Sequence, residues 1–187
     1  MTKSKFWQLI EYSRGDFDPH RRNGNHDRQI ELVREALGVL PLKELEDYET
    51  IFYEYFFQCY TWAHWLAIHL IEGGVSDDCF DYFRAWMISM GEKPFVEMLS
   101  IADNVADFAK APGVEAPYAA DFLEAARQIY EERTGNNFPD SCYTVERPSD
   151  PVGQAWRSED FEYFKTAFPK SWSKRCRLSW PDKPEAP

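Results

Sequence analysis

Glycine is scarce: the 187 residues hold nine, too few for a fold built from many tight hairpins, whose positive-φ corners fall to glycine. Cysteine is scarcer. Cys59, Cys79, Cys142 and Cys176 stand apart with no C-x-x-C pair, so neither the spacing of a structural zinc site nor a disulfide framework is present. No apolar run reaches the roughly 20 residues that a bilayer requires. The longest uncharged stretch, Tyr55 to Ile71, contains Gln58, His64 and His69 and reads as a core helix. Met1 to Lys5 leads directly into Phe6-Trp7-Gln8-Leu9, without the apolar stretch and small-residue cleavage site of a secretory signal. A reducing compartment is expected, hence the cytoplasm, with no membrane contact.

Motifs of catalysis are also missing. There is no G-x-S-x-G, no glycine-rich phosphate loop and no Cys with an evident His partner. His64 and His69 are five residues apart, which turns them about 140° from each other on a helix, whereas H-E-x-x-H sets its ligands four apart on one face. His26-Asp27 has the form of the metal dyad of HD-type phosphohydrolases, but its companions cannot be identified, and Asp27 as a helix cap explains the pair more simply. No metal or cofactor is expected.

What is abundant is apolar and aromatic: seven Trp, ten Tyr and fourteen Phe, with 44% apolar residues overall. That is enough to build a core despite a net charge of −11. The length suits one domain, expected over 1–180, followed by a mobile tail at 181–187. The apolar spacing is helical throughout. It predicts helices over 4–14, 28–38 (capped by Asp27), 42–58 and 60–71. Further helices are predicted from Ser76 to Gly91 and over 93–101, 103–109 and 118–134. Ser158 reads as the cap of a last helix at 159–167. On 42–58, Leu45, Tyr48, Ile51, Phe52, Tyr55, Phe56 and Cys59 fall on one side; on the helix opened by Ser76, Cys79, Phe80, Phe83, Trp86, Met87 and Met90 do so. Residues 60–71 are apolar nearly all round. The fold class predicted is all-α, a bundle of about six to nine helices around a central apolar helix at 60–71. Phe138 to Gly153, with Pro139, Pro148 and Pro151, reads as an extended crossing; strand-type alternation is confined to Ser141–Val145.

Two adjoining stretches carry a resemblance. Tyr60-Thr61-Trp62-Ala63-His64-Trp65-Leu66-Ala67-Ile68-His69-Leu70-Ile71 is a Trp-rich apolar run. Gly73-Gly74-Val75-Ser76-Asp77-Asp78-Cys79-Phe80-Asp81-Tyr82-Phe83-Arg84-Ala85-Trp86-Met87-Ile88-Ser89-Met90-Gly91 follows it. Together they resemble the core of the DUF4240 family. Phe6-Trp7, Tyr130 to Gly135 and Phe168-Pro169 fit the same layout, extending the resemblance over residues 3–172. Cys79 and Val75 depart mildly from the family pattern. The resemblance implies bacterial origin and supplies no mechanism.

One cluster is the candidate site: Ser76, Asp77, Asp78, Asp81 and Arg84. At 100° per residue Asp77, Asp81 and Arg84 share a face opposite the Phe80–Phe83–Trp86 side, and a carboxylate pair with a planar guanidinium can hold a guanidinium, a phosphate or a metal. The same residues are explained more simply without a ligand. Ser76 caps the helix, Asp77 and Asp78 complement its dipole, and Asp81 pairs with Arg84 at i, i+3.

Charge is unevenly spread. Residues 161–187 carry six basic and three acidic side chains, leaving −14 over residues 1–160. Lys170-Ser171-Trp172-Ser173-Lys174-Arg175-Cys176-Arg177 interleaves bases with an aromatic, as single-strand binders do, but phosphate repulsion by the acidic remainder disfavours nucleic acid. Solubility alone explains such a charge, and a basic protein partner is the functional reading. The expectation is a non-catalytic interaction protein, immunity- or antitoxin-like. The alternative is a small-molecule- or metal-dependent enzyme working from the Asp77/Asp78/Asp81/Arg84 face.

Overall fold

Caps and stops in the sequence set out the helices of the computed structural model, which describes residues 1–18, 25–109, 119–140, 145–146 and 148–175. Helix α1, Lys3–Ser13, begins where the Thr2 hydroxyl accepts the Lys5 N–H at 3.2 Å. Helix α2 is Asn25–Gly38, and α3, Leu42–Gln58, starts after Pro41. Helix α4, Trp62–Glu72, is capped by Thr61 and closed by Gly73 at φ 77°, a left-handed position that favours glycine. Helices α5, Asp77–Ser89, and α6, Glu92–Ser100, follow. After a 3-10 turn at Ala102–Asn104 come α7, Val105–Phe108, and α8, Ala120–Thr134. The last two are α9, Phe161–Ala167, and α10, Pro169–Lys174. Among the described residues no strand forms, and one parallel bridge joins Thr61 to Val152. The all-α class read from the sequence is the class observed.

The helices bury the faces that the spacing indicates. Phe6, Trp7, Leu9 and Ile10 of α1 are buried, as are Leu45, Tyr48, Ile51, Phe52 and Phe56 of α3. Each such side chain contributes roughly 1.5–3 kcal/mol through removal from water. Helix α2 packs between α1 and α8, while α3 and α5 meet α8. On the other side α4 is covered by α7, α10 and the 3-10 turn. Leu66, Ala67, Ile68 and Leu70 are buried there, but Trp62 and Trp65 are half-buried, less deep than expected. Helix α5 shares the central place: every residue from Phe83 to Met90 is buried. At the end of that stretch Gln29 Nε2 donates to the Ser89 carbonyl at 2.7 Å and to Ser13 Oγ at 3.2 Å.

Three details correct the sequence reading. Helix α2 begins at Asn25, so Asp27 lies inside its first turn rather than capping it. Ser158 does not cap the helix after it; its hydroxyl meets Glu159 at 2.8 Å and the helix starts at Phe161. A further helix, α10, follows, because Pro169 both stops α9 and suits a first helical turn. Short α7 and α10 bring the number of α-helices among the described residues to ten. Tyr118, residues 141–144 of the expected alternation, Cys142, Cys176 and the tail at 181–187 lie outside the described residues. No helix among those described is long and apolar enough to cross a membrane.

Candidate functional site

The five candidate residues open helix α5. Gly73 ends α4, and the chain turns through Gly74 and Val75 to Ser76, whose hydroxyl accepts the Cys79 N–H at 3.3 Å. Trp65 fixes this turn from below, its Nε1–H donating to the Val75 carbonyl at 3.4 Å. Asp77 and Asp78 therefore stand in the first turn, exposed, where carboxylates favour the helix dipole.

Asp81 and Arg84 do pair at i, i+3, Arg84 Nη2 donating to Asp81 Oδ1. Their placement differs from the helical-wheel expectation. Arg84 is 2% exposed and lies under the surface, not on a face opposite the core. Its Cζ sits 3.7 Å from the centre of the Phe56 ring, 4.6 Å from Tyr60 and 5.0 Å from Phe80. Its Nη1 donates to the Phe56 carbonyl at 3.3 Å, and its Nε has no hydrogen-bond partner among the described residues. Burial pushes the guanidinium below its ordinary pKa, and Asp81 opposes that shift. The stacked rings offset part of the desolvation cost through cation–π attraction. The fork of Arg84 is thus spent on α3 and on Asp81. A ligand reaching this face meets the exposed carboxylates of Asp77 and Asp78 and a half-buried Asp81 already paired with Arg84.

Beside the turn, aromatic rings stack in sequence. Trp62 and Trp65 lie 5.6 Å apart at 20°, and Trp65 and Phe80 4.7 Å apart at 26°. Phe80 to Phe83 is 6.2 Å and Phe83 to Trp86 is 5.5 Å. Of these contacts Trp65–Phe80 ties α4 to α5, and such a pair is worth ~0.5–1.5 kcal/mol beyond its burial.

The histidines hold structure. His64 is buried, accepts the Thr61 hydroxyl at Nδ1 (2.8 Å) and donates from Nε2 to the Met98 carbonyl at 3.1 Å, the tautomer those partners require. His69 packs on Trp156 with ring centres 4.6 Å apart. His26 lies 5.7 Å from the Phe122 ring. Burial pushes the Cys59 thiol up to about 12, which keeps it protonated and a poor nucleophile. Among the described residues no three His, Cys, Asp or Glu side chains gather as metal ligands. Of the basic stretch, Lys170 donates to Asn104 Oδ1 at 2.9 Å and to Asp107, and Lys174 to the Ala109 carbonyl at 3.1 Å.

Two carboxylates act at a distance that local pattern does not reveal. Glu11 Oε1 accepts the Glu92 N–H at 3.1 Å and so caps α6 from α1. Asp103 accepts the N–H groups of Lys170 at 3.0 Å and Ser171 at 2.8 Å, capping α10 from the 3-10 turn. Nothing in the sequence beyond their acidity marks either one.

These elements define an all-α protein whose candidate face is a capped helix start over a buried arginine. The chain belongs to the DUF4240 family, described as a protein of unknown function, whose model matches residues 1–132. No curated protein and no solved structure matches the chain.

Proposed function

We propose that this DUF4240 protein is a non-catalytic bacterial protein of the cytoplasm that binds a basic protein partner through its acidic surface, in the manner of an immunity or antitoxin protein. The observation that carries the reading is the state of the carboxylates. Glu124 and Glu132 are matched by Arg127 and Arg34 of the chain itself. Asp77 and Asp78 are exposed and enter no ion pair among the described residues, on a chain carrying −14 over residues 1–160. Complementary charge accelerates and orients association with a basic surface. An enzyme working at the same face would have to act without Arg84, whose guanidinium is enclosed.

The test compares wild type with an Asp77→Lys/Asp78→Lys double variant, both immobilised and challenged with lysate of the host. The wild type is expected to retain a basic protein that elutes as ionic strength rises past the physiological range, where exposed charges are screened beyond ~8–10 Å. The variant, folded by circular dichroism, is expected to lose it. Equal retention by the two, or retention indifferent to salt, defeats the proposal.

A further inference from the structure

We propose that α9 and α10 form a latch that opens together with α7 and the 3-10 turn as one unit, uncovering helix α4. The inference is independent of the binding role above.

The parts are too short to stand alone. The 3-10 turn has three residues, α7 four and α10 six, well under the ~12–15 at which an isolated helix becomes even marginal. None of the three has a side-chain cap from its own N-cap residue. The two sides bond each other's helix ends instead. Asp103, buried in the turn, accepts the Lys170 and Ser171 N–H groups that begin α10, at 3.0 and 2.8 Å. In return, α10 sends Lys174 to the carbonyls of Ala106 and Ala109 at the end of α7. Lys170 adds a second tie to Asn104 at 2.9 Å. Removing either side leaves the other with unsatisfied backbone ends, which is costly where they are buried.

Both sides also lean on α4. Phe164 and Phe168 are buried in the same core cluster as Val105 and Ala109. Upstream of α9 the hold is slender. Val152 exchanges two backbone hydrogen bonds with α4's approach, Trp62 N–H to Val152 O at 3.0 Å and Val152 N–H to Tyr60 O at 2.9 Å. Trp156 rests on His69. Helix α5, by contrast, is buried all round over 83–90. A unit whose short helices satisfy one another's ends opens below the global transition, and opens whole.

Residue-resolved hydrogen exchange on the full chain, in increasing sub-denaturing urea, tests this. The probes are the hydrogen-bonded amides of Asn104 and Ala109, of Phe164, Phe168 and Trp172, and of Met90 at the C-terminal cap of α5. The first two sets are expected to merge onto one opening curve at lower urea than Met90. Asp103→Asn is expected to accelerate both sets about tenfold or more, the factor that one weakened charge-assisted hydrogen bond corresponds to, and to leave Met90 unchanged. If Asn104 and Ala109 keep their protection while Phe164, Phe168 and Trp172 lose it, the coupling is wrong. If all three sets open on one curve, there is no latch. Should Asp103→Asn fail to fold, the wild-type curves decide between these outcomes by themselves.

Discussion

The Glu11 carboxylate fills the space that a side chain at Gly91 would need. Gly91 sits between α5 and α6 at φ 97°, ψ 167°, a conformation that costs any other residue strain, and an added Cβ would run into Glu11 Oε1 and Cδ. The contact lets Glu11 reach the Glu92 N–H and cap α6.

Gly91→Ala is therefore expected to destabilise the protein by about 1–3 kcal/mol through backbone strain, and Glu11→Ala by about 1 kcal/mol as a lost cap. Because the methyl group introduced by Gly91→Ala already displaces the carboxylate, the double variant should cost less than the two single changes added together. Urea unfolding of the four proteins measures this cycle, and strict additivity would show that the two residues do not share the space.

Phe83→Ala removes a ring that is fully buried between Phe80 and Trp86. A loss of ~3–5 kcal/mol is expected. Trp65→Ala should cost less for its size, since that ring is half-buried. The reverse order in chemical denaturation would contradict the stacking order of the rings.

Arg84 and Asp81 should respond unequally. Asp81→Asn weakens the partner of a buried guanidinium and is expected to cost about 1–3 kcal/mol. Arg84→Met removes the buried charge and leaves a flexible chain under the Phe56 ring, so it should cost less than Asp81→Asn. A larger loss for Arg84→Met would show that the cation itself holds α3 to α5.

Burial lowers the pKa of both His64 and His69 below the ordinary 6.5. The unfolded chain then binds more protons than the folded one just below that value, so stability falls as pH drops through 6.5 and is complete above it. Thermal unfolding between pH 7.5 and 5.5 should show this decline. It should flatten in His64→Gln/His69→Gln, and an unchanged slope would assign the pH response elsewhere. Glu72, whose carboxyl burial pushes up from the ordinary carboxylate value, acts with the opposite sign as pH falls toward that value.

How far the sequence is legible depends on the distance over which residues act. The side of α3 marked by Leu45, Tyr48, Phe52 and Phe56 is readable because its spacing is local and its burial one-sided. On α5 the wheel places Phe80, Phe83 and Trp86 correctly, then fails at Arg84, which is buried as well. One helix cannot report that neighbours cover it from every direction, and an arginine reads as polar although its flat guanidinium stacks on rings. Ser76 is a local cap and is visible; Asp103 and Glu11 cap helices 67 and 81 residues away in the chain and are not.

The run of rings from Trp62 to Trp86 also has an optical consequence. Two indoles 5.6 Å apart and inclined by 20° share their excited states, so the native near-ultraviolet dichroism carries a coupled band from this pair. Trp62 is the residue whose N–H holds Val152 at 3.0 Å, so that band would shift as the C-terminal crossing lifts, while the far-ultraviolet signal of the long helices stays in place. The chain thus carries an unlabelled colour reporter at the hinge of its own covering.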